Sequence, residues 1–240
     1  FIGAGAIPSS KIFLKSNKNF KNKLKIKTRG GYVLPVWRIK SFQNKKSVNS
    51  EPGVFMEIRG NGLNNWTHIQ ISSSNELLID RLSRGFLSWP VINIFTKFVL
   101  RHLVILLVNF HSNHSGYYEI SLNNKDNSII SEYKPDKVIS KNFLFSIFQI
   151  CRNFLPIGII PIPFFRINSG TYHVGSSIPM KDDPQKDFET DIQGRPKNIN
   201  NLHFIDSSVF PDLPGTTIGI LSMANAHRIV SNVLKVHNKF

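Results

Sequence analysis

The chain has 240 residues, 41% of them apolar and 19% charged, which is ordinary for a soluble protein and enough to bury a sizeable core as one large domain or two smaller ones. Its single cysteine, Cys151, excludes an internal disulfide and a cysteine-based metal cluster, and no metal site is expected. The net charge of +15 is uneven: residues 1–50 hold twelve Lys or Arg and no Asp or Glu, leaving only +3 for the other 190.

In chain order, Phe1–Ala6 reads as a buried strand and Ser9–Ser16 as a helix that Ser9 or Ser10 caps. No phosphate-cradling Gly-x-Gly-x-x-Gly turn follows a strand, since Gly3-Ala4-Gly5 carries Pro8 in the third glycine place. Beginning at Phe1 inside an apolar run, the chain reads as a piece of something longer. Residues 17–29 form a basic, asparagine-rich connector that ends at Gly30-Gly31, the first expected boundary. Residues 11–46 would suit phosphate contacts to a polyanion or an anionic membrane surface. Lys is interleaved with Asn there and stacking aromatics are sparse, so a solvated face is the better reading and nucleic acid is not expected.

From Tyr32 the texture becomes strand-like. Tyr32–Ile39, Val54–Arg59 and Trp66–Ser72 alternate apolar and polar residues, and Leu103–Phe110, Gly116–Leu122 and Ser128–Tyr133 are expected as further strands of one antiparallel sheet. Val91–Phe110 carries Lys97, Arg101 and His102 near its middle, each cation costing roughly 2.5–3.5 kcal/mol at a bilayer centre, so a helix followed by a buried strand fits it better than a membrane span. Phe143–Phe165 contains Arg152, Pro156, Pro161 and Pro163; a helix to about Asn153 and then an extended apolar stretch is expected, the latter a candidate pocket wall. A peripheral membrane contact is compatible with these runs, and a cytoplasmic location is the default. His111 and His114 sit three apart without a usual third ligand nearby and read as a polar turn.

The last seventy residues carry the chemistry. Ser169–Met180 places His173 in a loop rich in glycine and small hydroxyl residues, where a flat ligand can approach the backbone. Leu202–Ser208 reads as a short strand ending at Asp206-Ser207, with two roles open for Asp206: a ligand group at a strand end, or the cap of a turn. Pro211, Pro214 and Gly215 then lead to Thr216 and Thr217, read as the cap of a helix that buries Leu221, Ala224, Ile229, Val230, Val233 and Leu234.

In that order and spacing, the His173 loop, the Asp-Ser-Ser-Val-Phe-Pro strand end, the proline-rich turn and the Thr-Thr helix start resemble the C-terminal signature of the glucose-methanol-choline (GMC) oxidoreductases, flavin enzymes that oxidise alcohols. Phe1-Ile-Gly-Ala-Gly-Ala-Ile-Pro-Ser-Ser resembles that family's segment where a strand reaches the dinucleotide. The resemblance covers roughly the first sixteen and last seventy-five residues. It implies an α/β (α+β) architecture: residues 1–16 and 166–240 as part of a Rossmann-like FAD-binding domain completed by a missing N-terminal segment, and 30–165 as a mostly antiparallel substrate-binding sheet with helices on one face.

The resemblance further implies FAD as hydride acceptor, an alcohol substrate of sugar or sterol-like size, and His173 as the base that takes the hydroxyl proton. Thr216 and Thr217 stand where the family usually carries a second His or Asn beside the substrate, a departure that leaves the second catalytic group open. Gly3, Ala4, Gly5, Asp206, Ser207, Thr216, Thr217 and Ile218 would approach the cofactor, the helix start stabilising an anionic ring edge. The rival from another class is a basic, flavin-free binding or membrane-surface module built on residues 11–46.

Overall fold

The computed structural model describes residues 1–17, 20, 22–40, 54–59, 66–73, 98–99, 102–123, 125–135, 139–162, 167–168 and 173–237. The chain divides into two compact units: Phe1–Gly30, Phe110–Val138 and Thr171–Phe240 form the first, and Gly31–Asn109 with Ile139–Gly170 the second. Mixed helix and antiparallel sheet run through both, as the composition of elements had implied.

In the first unit, α1 (Ala6–Ser16) buries Ala6, Ser9, Ser10, Phe13 and Leu14, whose three- and four-residue spacing turns one stripe to the core. The helix starts earlier than the serines suggest. Its N-cap is Gly5, at a φ of 93° that only glycine adopts freely, and no side chain caps it. The serines work inside the stripe instead: Ser10 Oγ donates to the Ala6 carbonyl at 2.6 Å and lies 2.7 Å from Ser177 Oγ, while Ser9 Oγ donates to Asp206.

The basic connector holds an interior strand. β1 (Leu24–Thr28) alternates buried and open positions and pairs antiparallel with β6 (Tyr117–Leu122) on one side and β10 (Val174–Gly175) on the other, β7 (Ile129–Lys134) completing the order β10-β1-β6-β7. Thus β6 and β7, expected in one sheet with the strands from Tyr32 onward, belong to a different sheet. Lys25 and Lys27 obscure β1 in the sequence because they occupy its open face, while Leu24 and Ile26 are 1% exposed. Phe13, Leu14, Leu24, Ile26, Ile120, Ile178, Phe204 and Val209 form the core. At roughly 1.5–3 kcal/mol for each buried apolar side chain against about 0–1 for an exposed ion pair, this cluster outweighs the surface charges.

The strand-like runs at Phe1 and Leu202 shrink to a single parallel bridge, Ile2 with Phe204, made by Ile2 N–H to the His203 carbonyl (2.8 Å) and Ile205 N–H to the Ile2 carbonyl (2.9 Å). The last helix, α3, spans Gly219–His237. Its buried line differs from the expected one: Ile229 is fully buried, whereas Ile220, Leu221, Met223 and Leu234 are exposed. Arg228 on this helix donates to the Ile192 carbonyl at 2.7 Å and to Asn225 Oδ1 at 2.9 Å.

In the second unit, β2 (Gly31–Arg38), β3 (Val54–Arg59), β4 (Trp66–Ser73), β5 (Leu103–Asn109) and β8 (Ile159–Pro161) form a sheet ordered β3-β4-β5-β2-β8, with β9 (Ile167–Asn168) also on β2. Leu34, Val36, Val104, Leu106, Val108 and Ile69 give it a buried face. The helix expected to end near Asn153 is α2 (Ile139–Phe154), and part of the extended stretch after it is β8, while residues 163–166 lie outside the described residues, as do 91–97. Among the described residues no helix is long and apolar enough to cross a membrane.

Candidate active site

Every residue singled out for chemistry lies in the first unit. His173 immediately precedes β10, half-buried, and residues 169–172 of its loop lie outside the described residues. From β10 onward the chain runs beside the Asp206 segment: the N–H groups of Ser176, Ile178 and Met180 donate to the carbonyls of Ser207, Ser208 and Val209 at 2.8–2.9 Å. Ser207 Oγ returns a bond to the Val174 carbonyl at 3.1 Å. The approach is so close that a Cβ on Gly175 would stand 2.4 Å from the Ser207 carbonyl oxygen, so glycine is the residue that permits it. The His173 loop and the Asp-Ser-Ser segment are therefore neighbours, as the sequence led one to expect.

Asp206 is occupied by its own chain. One carboxylate oxygen accepts from Gly5 N–H (2.9 Å) and Ser9 Oγ, and the other accepts from Ser208 N–H (2.8 Å), capping the 3-10 turn Ser207–Val209. Of its two open roles, capping is the one its bonds express, and it reaches further than expected: the side chain also holds the turn that starts α1. Gly3 and Ala4 are exposed at that turn.

The residue that sequence reasoning missed is Arg29. The β1–β10 register pairs Lys27 with Gly175 and Thr28 with Val174; one step on, Arg29 stands opposite His173, and its N–H donates to the His173 carbonyl at 3.2 Å. Cross-strand partners share a face of the ladder. The guanidinium Nη1 then donates to the carbonyls of Gly215 (3.0 Å) and Thr216 (3.1 Å). One residue thus links the His173 segment, through its backbone, to the turn before α3, through its side chain. It is 7% exposed, no carboxylate among the described residues pairs with it, and burial pushes its pKa down to about 10, which leaves it charged at neutral pH.

The turn itself is built on Leu213, fully buried, whose N–H donates to Ser112 Oγ (2.8 Å) and whose carbonyl accepts from Ser112 N–H (2.9 Å). The Pro211 carbonyl accepts from Ser176 Oγ at 2.8 Å and from Lys27 Nζ at 3.0 Å, and Lys27 also pairs with Asp212. Phe210, Leu213 and Ile218 pack together. Ile218 is thereby an anchor facing inward at 6% exposure, while Thr216 and Thr217 are exposed. Neither threonine lies inside α3, which begins two residues later at Gly219; a Cβ there would meet nothing within 4 Å, so the first turn is open. As in any helix, its leading N–H groups lack intrahelical acceptors and carry partial positive charge.

His173 is held below the ordinary histidine value, first by burial and second by the charge of Arg29, so the neutral imidazole predominates at pH 7. His111 is lowered as well, by burial foremost; it caps the 3-10 turn Ser112–His114, its Nδ1 accepting from Asn113 N–H at 3.2 Å. Among the described residues no group of three His, Cys, Asp or Glu side chains converges as a metal set does.

No protein-family model matches the chain, and no curated protein matches it. Among solved structures its fold is similar to that of pyridoxine 4-oxidase from Mesorbium loti, with a TM-score of 0.55 and 13% sequence identity; the match covers 96% of this chain and 50% of that one. The chain thus spans about half the length of that neighbour, and the likeness is one of fold.

Proposed function

We propose that the chain belongs to a flavin-dependent oxidoreductase of the GMC type that oxidises an alcohol to a carbonyl compound, with His173 as proton acceptor. The observation that carries this reading is Arg29: its backbone N–H bonds the His173 carbonyl and its guanidinium bonds the Gly215 and Thr216 carbonyls, so that one residue touches both the segment bearing a neutral imidazole and the turn before an open helix start. The fold's likeness to a protein named as an oxidase supports the same reading.

The residues present fit an FAD ring. A buried cation without a carboxylate partner among the described residues, exposed Thr216 and Thr217, and open space at Gly219 together offer positive potential and hydrogen-bond donors to an electron-rich ring edge. When bound, FAD supplies the acceptor for the hydride that leaves the carbinol carbon. His173 takes the hydroxyl proton as the O–H bond breaks, which a positioned base near its operating pH accelerates by typically about 10²–10⁴-fold. Thr216 and Thr217 each carry a hydroxyl and a backbone N–H, and can orient the substrate oxygen without accepting its proton. Asp206, with both oxygens engaged, acts by fixing the Gly3–Gly5 turn and the start of α1.

The rival basic module loses several of its cations to the fold. Lys23 pairs with Glu119 and Glu132, Lys27 with Asp212, and Lys25 lies 3.8 Å over the Tyr117 ring. Residues 41–46 lie outside the described residues. The two readings separate in one experiment: the intact gene product is yellow and bleaches anaerobically with an alcohol substrate, whereas a colourless protein that binds polyanions with a steep salt dependence belongs to the rival.

A further inference from the structure

We propose that Arg29 is a positioning residue for His173: its backbone holds the His173 segment, its side chain holds the turn ending at Thr216, and its buried positive charge is thereby fixed near the imidazole. This rests on the reading of His173 as the proton acceptor. Three observations lead to it.

The first is register. Arg29 follows Thr28, the last residue of β1, whose partner in β10 is Val174, and it donates its N–H to the His173 carbonyl at 3.2 Å, so the two residues lie across from each other just past the end of the ladder. The second is reach: Nη1 bonds two successive carbonyls, Gly215 and Thr216, at 3.0 and 3.1 Å. The third is cost. Tying two carbonyls does not require a charge, yet this group is buried to 7% exposure with no carboxylate among the described residues to balance it. A neutral donor could serve a purely structural tie, and the proposal assigns the retained charge a role at the site.

That role is legible in the field at His173. Among the described residues, Arg29 is the charged group that lowers the proton affinity of the imidazole, second to burial, while Lys27, Asp212 and His114 act on His111. A fixed cation beside the base keeps the base unprotonated before reaction and favours negative charge forming near it.

The test is the titration of the His173 imidazole by NMR in the 240-residue chain, in wild type, R29K and R29Q, with the resonance assigned by its loss in H173Q. The expected result is a low midpoint in wild type, retained in R29K, and raised toward the ordinary histidine value near 6.5 in R29Q. A midpoint unchanged in a folded R29Q overturns the proposal, as does a midpoint raised in R29K to the R29Q value. Should R29Q fail to fold by circular dichroism, the neutral R29M is titrated in its place: a raised midpoint supports the proposal and an unchanged one removes it. Flavin is absent from this titration, so its failure leaves the oxidoreductase reading standing. Absence of flavin bleaching in the intact wild type removes that reading without altering the Arg29 result.

Discussion

The backbone oxygen of Ser207 lies so near Gly175 that a Cβ there would stand 2.4 Å from it, and 2.9 Å from Leu213 Cδ2. Small size at position 175 therefore lets the His173 loop, the Asp206 turn and the Leu213 turn close on one another. Gly175→Ala is expected to destabilise the chain by about 1–3 kcal/mol, the range for overpacking a well-filled site, as a lower urea midpoint at unchanged slope. A midpoint equal to wild type would mean that these three segments are not packed as described.

Asp206 should be a stability residue before it is anything else. Its carboxylate serves Gly5 N–H, Ser9 Oγ and Ser208 N–H while 8% exposed, so Asp206→Ala strands two backbone donors. The expected loss is about 2–4 kcal/mol, given 1.5–3 for a hydrogen bond to a charged group plus the desolvation of unmade donors. Denaturant unfolding measures it, and a loss under about 0.5 kcal/mol, the level of an ordinary surface substitution, would contradict the geometry.

Leu213→Ala tests the turn from the other side. Leu213 is fully buried against Phe210 and Ile218, so its truncation is expected to cost about 2–5 kcal/mol. Thermal melts of this variant beside Leu221→Ala, which removes a side chain 48% exposed, should separate clearly. Equal melting temperatures would show that α3 is rotated from the position found.

The two lowered histidines fix the sign of a pH effect. His173 and His111 bind protons less readily folded than unfolded, burial being the larger cause in both. Between the folded values and about 6.5 the unfolded state holds more protons, so stability rises with pH across that window and is lost as pH falls through it. Urea midpoints should therefore be lower at about pH 5.5 than at about pH 7.5, a difference that narrows in a His111→Gln, His173→Gln double variant. A difference of unchanged size in the double variant would assign the effect to other groups.

The sequence reading succeeded where one face of an element is buried and the pattern is local. The existence of α1, though not its start or cap, the alternation from Tyr32 onward and the α2 segment were legible from local pattern. It failed where distant pairing decides. β1 looked like a connector because Lys25 and Lys27 alternate with Leu24, Ile26 and Thr28, a strand pattern that its charge obscured. Its partners lie about a hundred residues away in β6 and further still in β10, and no local signal names them, so the division into two sheets was not readable. At the site, the neighbourhood of His173 and Asp206-Ser207 was legible from residue order. Arg29 was not, having been counted among solvated cations, although Thr28-Arg29-Gly30-Gly31 leaves the Asn-rich texture and marks a strand end. Thr216 and Thr217 were read as the cap of the last helix, which instead begins at Gly219, with Ile218 anchoring the turn before it.

Anaerobic reduction of the proposed flavin by an alcohol, followed at visible wavelengths in wild type and in His173→Ala, tests the role proposed for His173. The account predicts that the variant keeps its flavin and that reduction slows by about 10²–10⁴-fold, the contribution of a positioned base. Reduction at the wild-type rate in a flavin-replete His173→Ala protein would contradict it.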